Sequence, residues 1–460
     1  MPLSPSQAEE VASEAFEARS RDRKTLDRID LYYKGEPDLV WLPLGAPREL
    51  QALAQMARVN IMSLVVSATV QQLMVDGYAS DDPAGSELVW KDAWQANRMD
   101  RKQIGIHRAV GKYGVAYGTV MPGENDMPVL RPVSPRKMTA LYGSDPDWPM
   151  FALEERDDGT WRLYDSTHTY DLRRGKRHVR SVQGGRKAIT FEMIPGTAAP
   201  HEQAVTPVVR YIADEDLDDP VRSDVQPLFP LQDRLNLTSF HLLVAQHYGA
   251  HGRRVIISRM MKELEPKLVK NSANTMLTLN ANPDEVSLEE FRQTSLDGFL
   301  ESQDAVVRMM STLSQTPVQE LTGVVANLAA EALVESRESN HRKVRERQTV
   351  LGESHEQLLG QAGVLLGVGS DPLARVRWQP SMDLRAIQLV DMLAVVADKL
   401  GVPSAALLDH LPFSAADVEE MRAAMGSGSG EPERDLGAGT ESADPGEEAP
   451  AQPEMANATA

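Results

Sequence analysis

The stretch SLDGFLESQDAVVRMMSTL, Ser295 to Leu313, passes through Thr316-Pro317 into GVVANLAAEALVESRESNHRKVRERQTVLGESHEQLLGQAG, Gly323 to Gly363, and its reading decides the fold. The first run places apolar residues such as Leu300, Val307 and Met310 at helical spacing among polar ones, the pattern of an amphipathic helix. The second is long and charged, with Glu331, Glu335, Glu338 and Glu346 set against Arg337, Arg342, Lys343, Arg345 and Arg347 at helical spacings. Proline cannot continue the first helix, so two helices meeting at a hinge are expected. With no recognisable catalytic motif nearby, this arrangement points to a mechanical part rather than an enzyme.

Composition limits what surrounds the hinge. A chain of 460 residues with 42% hydrophobic residues can bury the cores of two or three domains. Aromatics are only 5%, so much of that core must be Ala, Val, Leu and Met, which favours helices. The absence of cysteine excludes disulfides, zinc-thiolate sites and thiol nucleophiles. Met1 to Arg23 is rich in Glu and Arg and lacks the apolar stretch of a signal peptide. The longest apolar runs, such as Ile61 to Val70, are too short and too polar to span a bilayer, so a soluble chain without membrane partners is expected. The formal net charge of -19 argues against wrapping nucleic acid on a broad basic surface. It is compatible with a passage that repels DNA.

Outward from the hinge, Ser4 to Tyr33 reads as a surface helix ended by Lys34-Gly35-Glu36-Pro37. A second helix is expected from about Glu49, and Asn60 to Val75 reads as one buried helix, apolar on most sides. Gln103 to Tyr113 is helical and leads into a strand at Gly114 to Val120. From there to Tyr211 the pattern is β-rich: Val129 to Val133, Met150 to Glu155, Thr160 to Asp165, His168 to Arg173 and Ala188 to Ile194. Asp157-Asp158-Gly159-Thr160 is a hairpin signal. Arg222-Ser223-Asp224-Val225 opens another helix with Pro227 and Pro230 near its start, followed by a strand at Gly252 to Ser258 and an insertion, Met260 to Val286, without clear period. Leu384 to Met425 holds short helices interrupted at Gly401-Val402-Pro403-Ser404, and residues 426–460 form a Gly-, Ser-, Pro-, Ala- and Glu-rich tail expected to be disordered.

Candidate chemical motifs fail on spacing. Gly105 to Tyr113 resembles a phosphate-binding loop but is one residue too long, with Tyr113 where a magnesium-binding Ser or Thr is required. His247 and His251 are spaced i, i+4 without an acidic partner, and His355-Glu356 lacks the second histidine of a zinc-protease helix. No Gly-x-Ser-x-Gly elbow is present. No catalytic residue, metal or cofactor is therefore expected. Arg342, Lys343 and Arg345, in the densest basic run of the long helix, read as a solvated or subunit-facing surface or, alternatively, as transient phosphate contacts near a pore.

Taken in order, these elements resemble the bacteriophage portal proteins of the SPP1-like family, in a form common in actinobacterial phages. The residues that carry the resemblance are Leu26 to Gly35, Arg58-Val59-Asn60-Ile61, Val75-Asp76-Gly77-Tyr78, Trp94 to Asp100, Tyr113 to Gly118, and Arg222 to Val225 before Leu231 to Asn236. The likeness implies a helix-rich α+β subunit with wing, stem, clip and crown regions that assembles into a dodecameric ring. By that likeness, residues 1–219 form the N-terminal helices and α+β wing, 220–252 the first stem helix, 253–290 the clip and 291–313 the second stem helix. Residues 314–322 would be the tunnel loop, 323–383 the long wing helix and its following segment, 384–425 the crown and 426–460 the acidic tail. Gln315, Thr316, Pro317, Val318 and Gln319 are the candidates for the constriction facing DNA, polar or small and without fixed charge.

The implied function is a channel at one capsid vertex through which the terminase large subunit packages double-stranded DNA, and to which a head-to-tail connector later attaches. Major capsid and scaffold proteins would be further partners, and the virion the location, reached after assembly in the host cytoplasm. An acidic wall suits such a conduit, because repelled phosphates do not stick. Two rival readings stand beside it: a capsid-associated protease or nuclease, and a non-enzymatic helical scaffold or adaptor.

Overall fold

The computed structural model describes residues 2–123, 127–175, 190–218, 221–249, 255–257, 277–279, 295–323, 330–379, 384–408, 418 and 421–423. In chain order the elements begin with helices α1 (Pro5–Lys34), α2 (Arg48–Met56) and α3 (Met62–Val70), strand β1 (Val75–Ala79) and helix α4 (Pro83–Val89). A π-helical turn (Trp90–Gln95) precedes α5 (Met99–Tyr113), after which come β2 (Val115–Pro122), β3 (Pro128–Val133), β4 (Met138–Tyr142), β5 (Pro149–Glu155), β6 (Trp161–Tyr164), β7 (His168–Arg174), β8 (Phe191–Met193), β9 (Ala199–Pro200) and β10 (Val208–Ile212). The remainder is α6 (Phe229–Gly249), β11 (Val255–Ile257), β12 (Leu277–Leu279), α7 (Asp297–Ser314), α8 (Val318–Thr322), α9 (Ala330–Leu365), β13 (Arg375–Trp378), α10 (Leu384–Leu400) and α11 (Ser404–Leu407). The chain is thus the helix-rich α+β protein its sequence suggests.

The antiparallel sheet β4-β5-β6-β7-β8, with β9 on β7, buries one face against α1. Ala8, Ala12 and Ala15 recur on one side of that helix and let it sit close over Trp161, Tyr170, Leu172 and Phe191. Further along, the buried Arg19 guanidinium lies 4.9 Å from the Trp161 ring and bonds Glu155 and the Arg136 carbonyl. The β5–β6 turn falls at the expected hairpin, with Gly159 in the left-handed region (φ +81°) that its backbone requires. A second sheet, β10-β2-β3, packs with α5 and α9 around the main core, where Trp94, Ile106, Val120, Tyr211, Leu351 and Leu358 meet.

Two sequence expectations need correction. Asn60 to Val75 is not one helix: α3 ends at Val70, and Val75 opens β1, which pairs with β13 some 300 residues later. The cause is tertiary: the buried Gln103 amide accepts from Val75 N (2.8 Å) and donates to Val75 O (3.1 Å), fixing an extended backbone there. Residues 314–322 are not loop throughout, because Val318–Thr322 makes a helical turn with Leu321 in the core. Strand β4 was not anticipated. The long helix is described from Ala330, so residues 324–329 of the expected segment lie outside the described residues, as do the acidic tail, His251 and most of the insertion at 253–290.

Candidate functional site: the helix–hinge–helix segment

Helices α6 and α7 form an antiparallel hairpin. Leu228, Phe229 and Leu235 share a core with Val306, Val307 and Met310, while Gln303 Nε2 donates to Ser239 Oγ at 2.9 Å one or two turns further on. The base of the hairpin is fixed to α1 by Tyr32, whose ring stacks on Phe229 with centroids 3.9 Å apart and whose hydroxyl donates to Asp233 at 2.7 Å.

At the end of α7 the chain turns on Gln315, which adopts the left-handed conformation (φ +55°), uncommon for a residue with a Cβ. Thr316 N donates to Ser311 O (3.1 Å), and Ser311 Oγ donates to Thr316 O (2.6 Å), so the turn is closed by backbone and side chain together. The long helix α9 then clamps it from outside. Asn340 Nδ2 donates to Gln315 O at 3.2 Å, and its own Oδ1 accepts from Gln72 Nε2 at 2.6 Å. Lys343 Nζ donates to Ser314 O at 3.2 Å, placing a positive charge at the carbonyl end of α7, where the helix dipole favours it. The same ammonium lies 3.1 Å from Asp224, which also holds Arg347 at 2.9 Å, and all three side chains are largely buried.

Asp224 can reach α9 because the segment before it passes tightly over the end of α5. Asp224 N donates to Gly111 O at 3.0 Å, and a Cβ on Gly114 would meet the Arg222 carbonyl at 2.9 Å. Gly114 also has φ +85°, so both its backbone and its surroundings demand glycine.

Deeper in α9, His355 is fully buried and continues a chain of ring contacts. His355 Nε2 lies 2.9 Å from His107 Nε2, His107 Nδ1 lies 3.1 Å from the Leu73 carbonyl, and the Tyr211 hydroxyl lies 3.1 Å from His355 Nδ1. A carbonyl only accepts, so His107 carries its proton on Nδ1, His355 donates through Nε2, and Tyr211 donates to His355 Nδ1. Burial pushes His107 down to about 4 despite the Leu73 carbonyl, and pushes His355 well below its usual value with His107 opposing its charge. Both rings are neutral at pH 7, and together they seat α9 against α5 and β10.

The five hinge candidates therefore separate. Thr316, 2% exposed, and Pro317 are buried within the subunit, Gln315 is exposed, and Val318 and Gln319 are half-buried on α8. Of the three basic candidates, Lys343 is held by Asp224 and the end of α7, whereas Arg342 and Arg345 are exposed. Sequence reasoning missed Asn340, Gln72 and Asp224 as clamping partners. The available signal was the i, i+3, i+7 spacing of Asn340, Lys343 and Arg347, which puts one amide and two cations on a single face of the helix. Elsewhere, His247 bonds Glu49. No group of three potential metal-ligating side chains comes together among the described residues.

A helical hairpin, a clamped hinge and a long helix crossing the main core define a helix-rich α+β fold organised around a helix–hinge–helix segment. The sequence matches the family described as Phage portal protein, SPP1 Gp6-like, over residues 13–425, and the chain belongs to that family. Among solved structures, a chain of the native gene transfer agent (GTA) virion is similar at 15% identity, with 81% of this chain and 95% of that one covered and a TM-score of 0.43. A chain from the neck of the native GTA particle, computed with C12 symmetry, is similar at 13% identity, with 82% and 95% covered and a TM-score of 0.41. No curated protein matches the chain. Family membership selects portal function over the scaffold or adaptor alternative.

Proposed function

We propose that twelve copies of this portal protein close into a ring whose axis is the DNA channel of one capsid vertex. In this reading α6 and α7 are the stem, residues 253–290 the clip on which the terminase large subunit docks, residues 1–219 and 323–383 the wing, and residues 384–425 the crown. The head-to-tail connector, the major capsid protein and the scaffold protein are the other partners, and the complex assembles in the host cytoplasm before entering the virion.

The single observation that carries the reading is the clamped hinge. Asn340 and Lys343 of α9 hold the carbonyls of Gln315 and Ser314, so the Gln315 side chain is presented to solvent from a backbone tied down on both sides of its Cα. An uncharged amide on a rigid turn suits a channel constriction, because it offers phosphate neither a cation to stick to nor a loop to deform. Gln315 and the outer side of α8 take over the constriction role, with Thr316 and Pro317 as its support.

Particles assembled with Gln315→Trp should package or retain several-fold less DNA, while the purified subunit still forms a single species of twelve times the 50.7 kDa chain mass in native mass spectrometry. Full packaging and retention by that variant would remove the hinge from the channel. A different or heterogeneous mass for the unmodified protein would remove the dodecamer.

A further inference from the structure

Between α1 and α2 the run Leu39 to Pro47, LVWLPLGAP, holds no charged residue in a chain that is 25% charged. Its side chains alternate. Val40 and Leu42 pack inward toward Leu53, Ala54 and Phe240, while Leu39, Trp41 and Leu44 turn outward. The Pro37 carbonyl accepts from Arg58 Nη2, and Ala46 N donates to Pro43 O at 3.0 Å, so the run is tied to the body as a ledge. Trp41 is 83% exposed on it.

Apolar residues exposed singly are ordinary, but a tryptophan between two outward leucines on a tethered ledge is a contiguous patch. Trp41 alone would bury about 150–250 Å². That is about a quarter of the roughly 800 Å² that each partner gives to a stable interface. Tryptophan is also among the residue types that most often anchor such contacts.

A matching face lies on the other helix of the same hairpin. The ledge covers α6 at Phe240, and the bond from Gln303 to Ser239 sets that level of α6 within a turn of Leu300 on α7. Leu300 is 48% exposed and stands outside the core that takes Val306, Val307 and Met310. Beside it Glu301, Asp304 and Arg308 share one face at i, i+3 and i+7, exposed and without a charged partner among the described residues. The ledge has complementary ends, Asp38 before it and Arg48 after it, both exposed and likewise unpaired. Within one copy the two surfaces do not cover each other, since Trp41 and Leu300 are both open to solvent.

We propose that the Leu39–Leu44 ledge of one copy packs on the outer face of α7 of the next copy, with Trp41 against Leu300. This contact rests on the ring reading given above. A head-to-tail ring joins two different faces of the same chain, and with the α6–α7 hairpin along the axis those faces must lie at one level. The ledge and Leu300 meet both conditions. Copies of net charge -19 repel each other, so an uncharged anchor rimmed by Asp38 with Arg308 and by Arg48 with Glu301 and Asp304 suits their contact.

The test uses the full chain, which has no cysteine, so Leu44→Cys and Leu300→Cys together supply one thiol on each surface. Assembled rings are treated with a short bismaleimide and run on a denaturing gel. The expected product is a ladder at successive multiples of the chain mass, absent from either single variant. In a second measurement, Trp41→Ser should lower the ring fraction several-fold in native mass spectrometry while the unfolding midpoint of the subunit stays unchanged, because the indole it removes is exposed. Intact rings of the double variant that give no ladder, or rings of Trp41→Ser as abundant as those of the parent, would overturn this contact alone. Failure of the unmodified chain to form rings would overturn the ring reading and this contact with it.

Discussion

The sheet under α1 and the hinge are held by opposite means. Helix α1 lies on its sheet through Ala8, Ala12 and Ala15 over Trp161, Tyr170 and Phe191, an apolar contact in which area does most of the stabilising. The hinge is held by named polar atoms, from Asn340 and Lys343 to the carbonyls of Gln315 and Ser314, with Asp224 balancing Lys343 and Arg347. An apolar contact yields gradually when an atom is lost. A buried charge cluster fails sharply when one partner goes, because the others are left uncompensated. A portal subunit can use both, with an adaptable body and a hinge held in one position.

The largest effect expected from breaking this contrast is at Trp161. Trp161→Ala empties the centre of the α1–sheet core and should cost about 3–5 kcal/mol in denaturant unfolding, loosening that sheet while leaving hinge amides protected. Asp224→Asn should cost a similar or slightly smaller amount, about 3 kcal/mol, because two cations lose their buried counter-charge. Hydrogen exchange should place that loss differently, with the Thr316 amide exposed and the α1–sheet core unchanged. Equal loosening of both regions by either substitution would dissolve the distinction.

A third expectation concerns pH. His107 has its ordinary value of 6.5 when unfolded and about 4 when folded, so the unfolded chain takes up the proton first as pH falls. Its contribution is complete above about pH 6.5 and is lost progressively down to about pH 4, on the order of 3 kcal/mol over that interval. A melting temperature that falls less steeply between those pH values in His107→Gln than in the parent would confirm the assignment, and parallel slopes would refute it. The smallest effect is at Gln315. Gln315→Gly relieves about 1 kcal/mol of left-handed backbone cost and loses a similar amount to unfolded-state entropy, so subunit stability should stay within about 0.5 kcal/mol. A loss well beyond that would mean that the side chain, and not only the turn, holds the subunit together.

The same contrast governs what the sequence disclosed. Local punctuation was legible: Gly35 ends α1 with φ +74° as Lys34-Gly35-Glu36-Pro37 suggests, and Asp158-Gly159 makes its hairpin. The α6–insertion–α7–break–α9 order was also legible, because periodicity and a proline set it. Contacts between distant residues were not. Nothing near Val75 announces Gln103 or Arg375–Trp378, so the apolar run read as one long helix. Lys343 looked like any other basic residue on a charged helix until Asp224 and Ser314 O came within reach. Thr316 and Pro317 look like Gln315 in the sequence, which shows polarity and turn chemistry but not which side of a turn faces the core.

The most direct test is electron cryomicroscopy of the purified, assembled protein at a resolution that places side chains around the axis. The account predicts a closed twelve-fold ring in which Gln315 and the outer side of α8 lie nearest the axis, with Thr316, Pro317 and Lys343 behind them inside each subunit. A ring whose narrowest point is built from another segment, or particles with no axial opening, would contradict it.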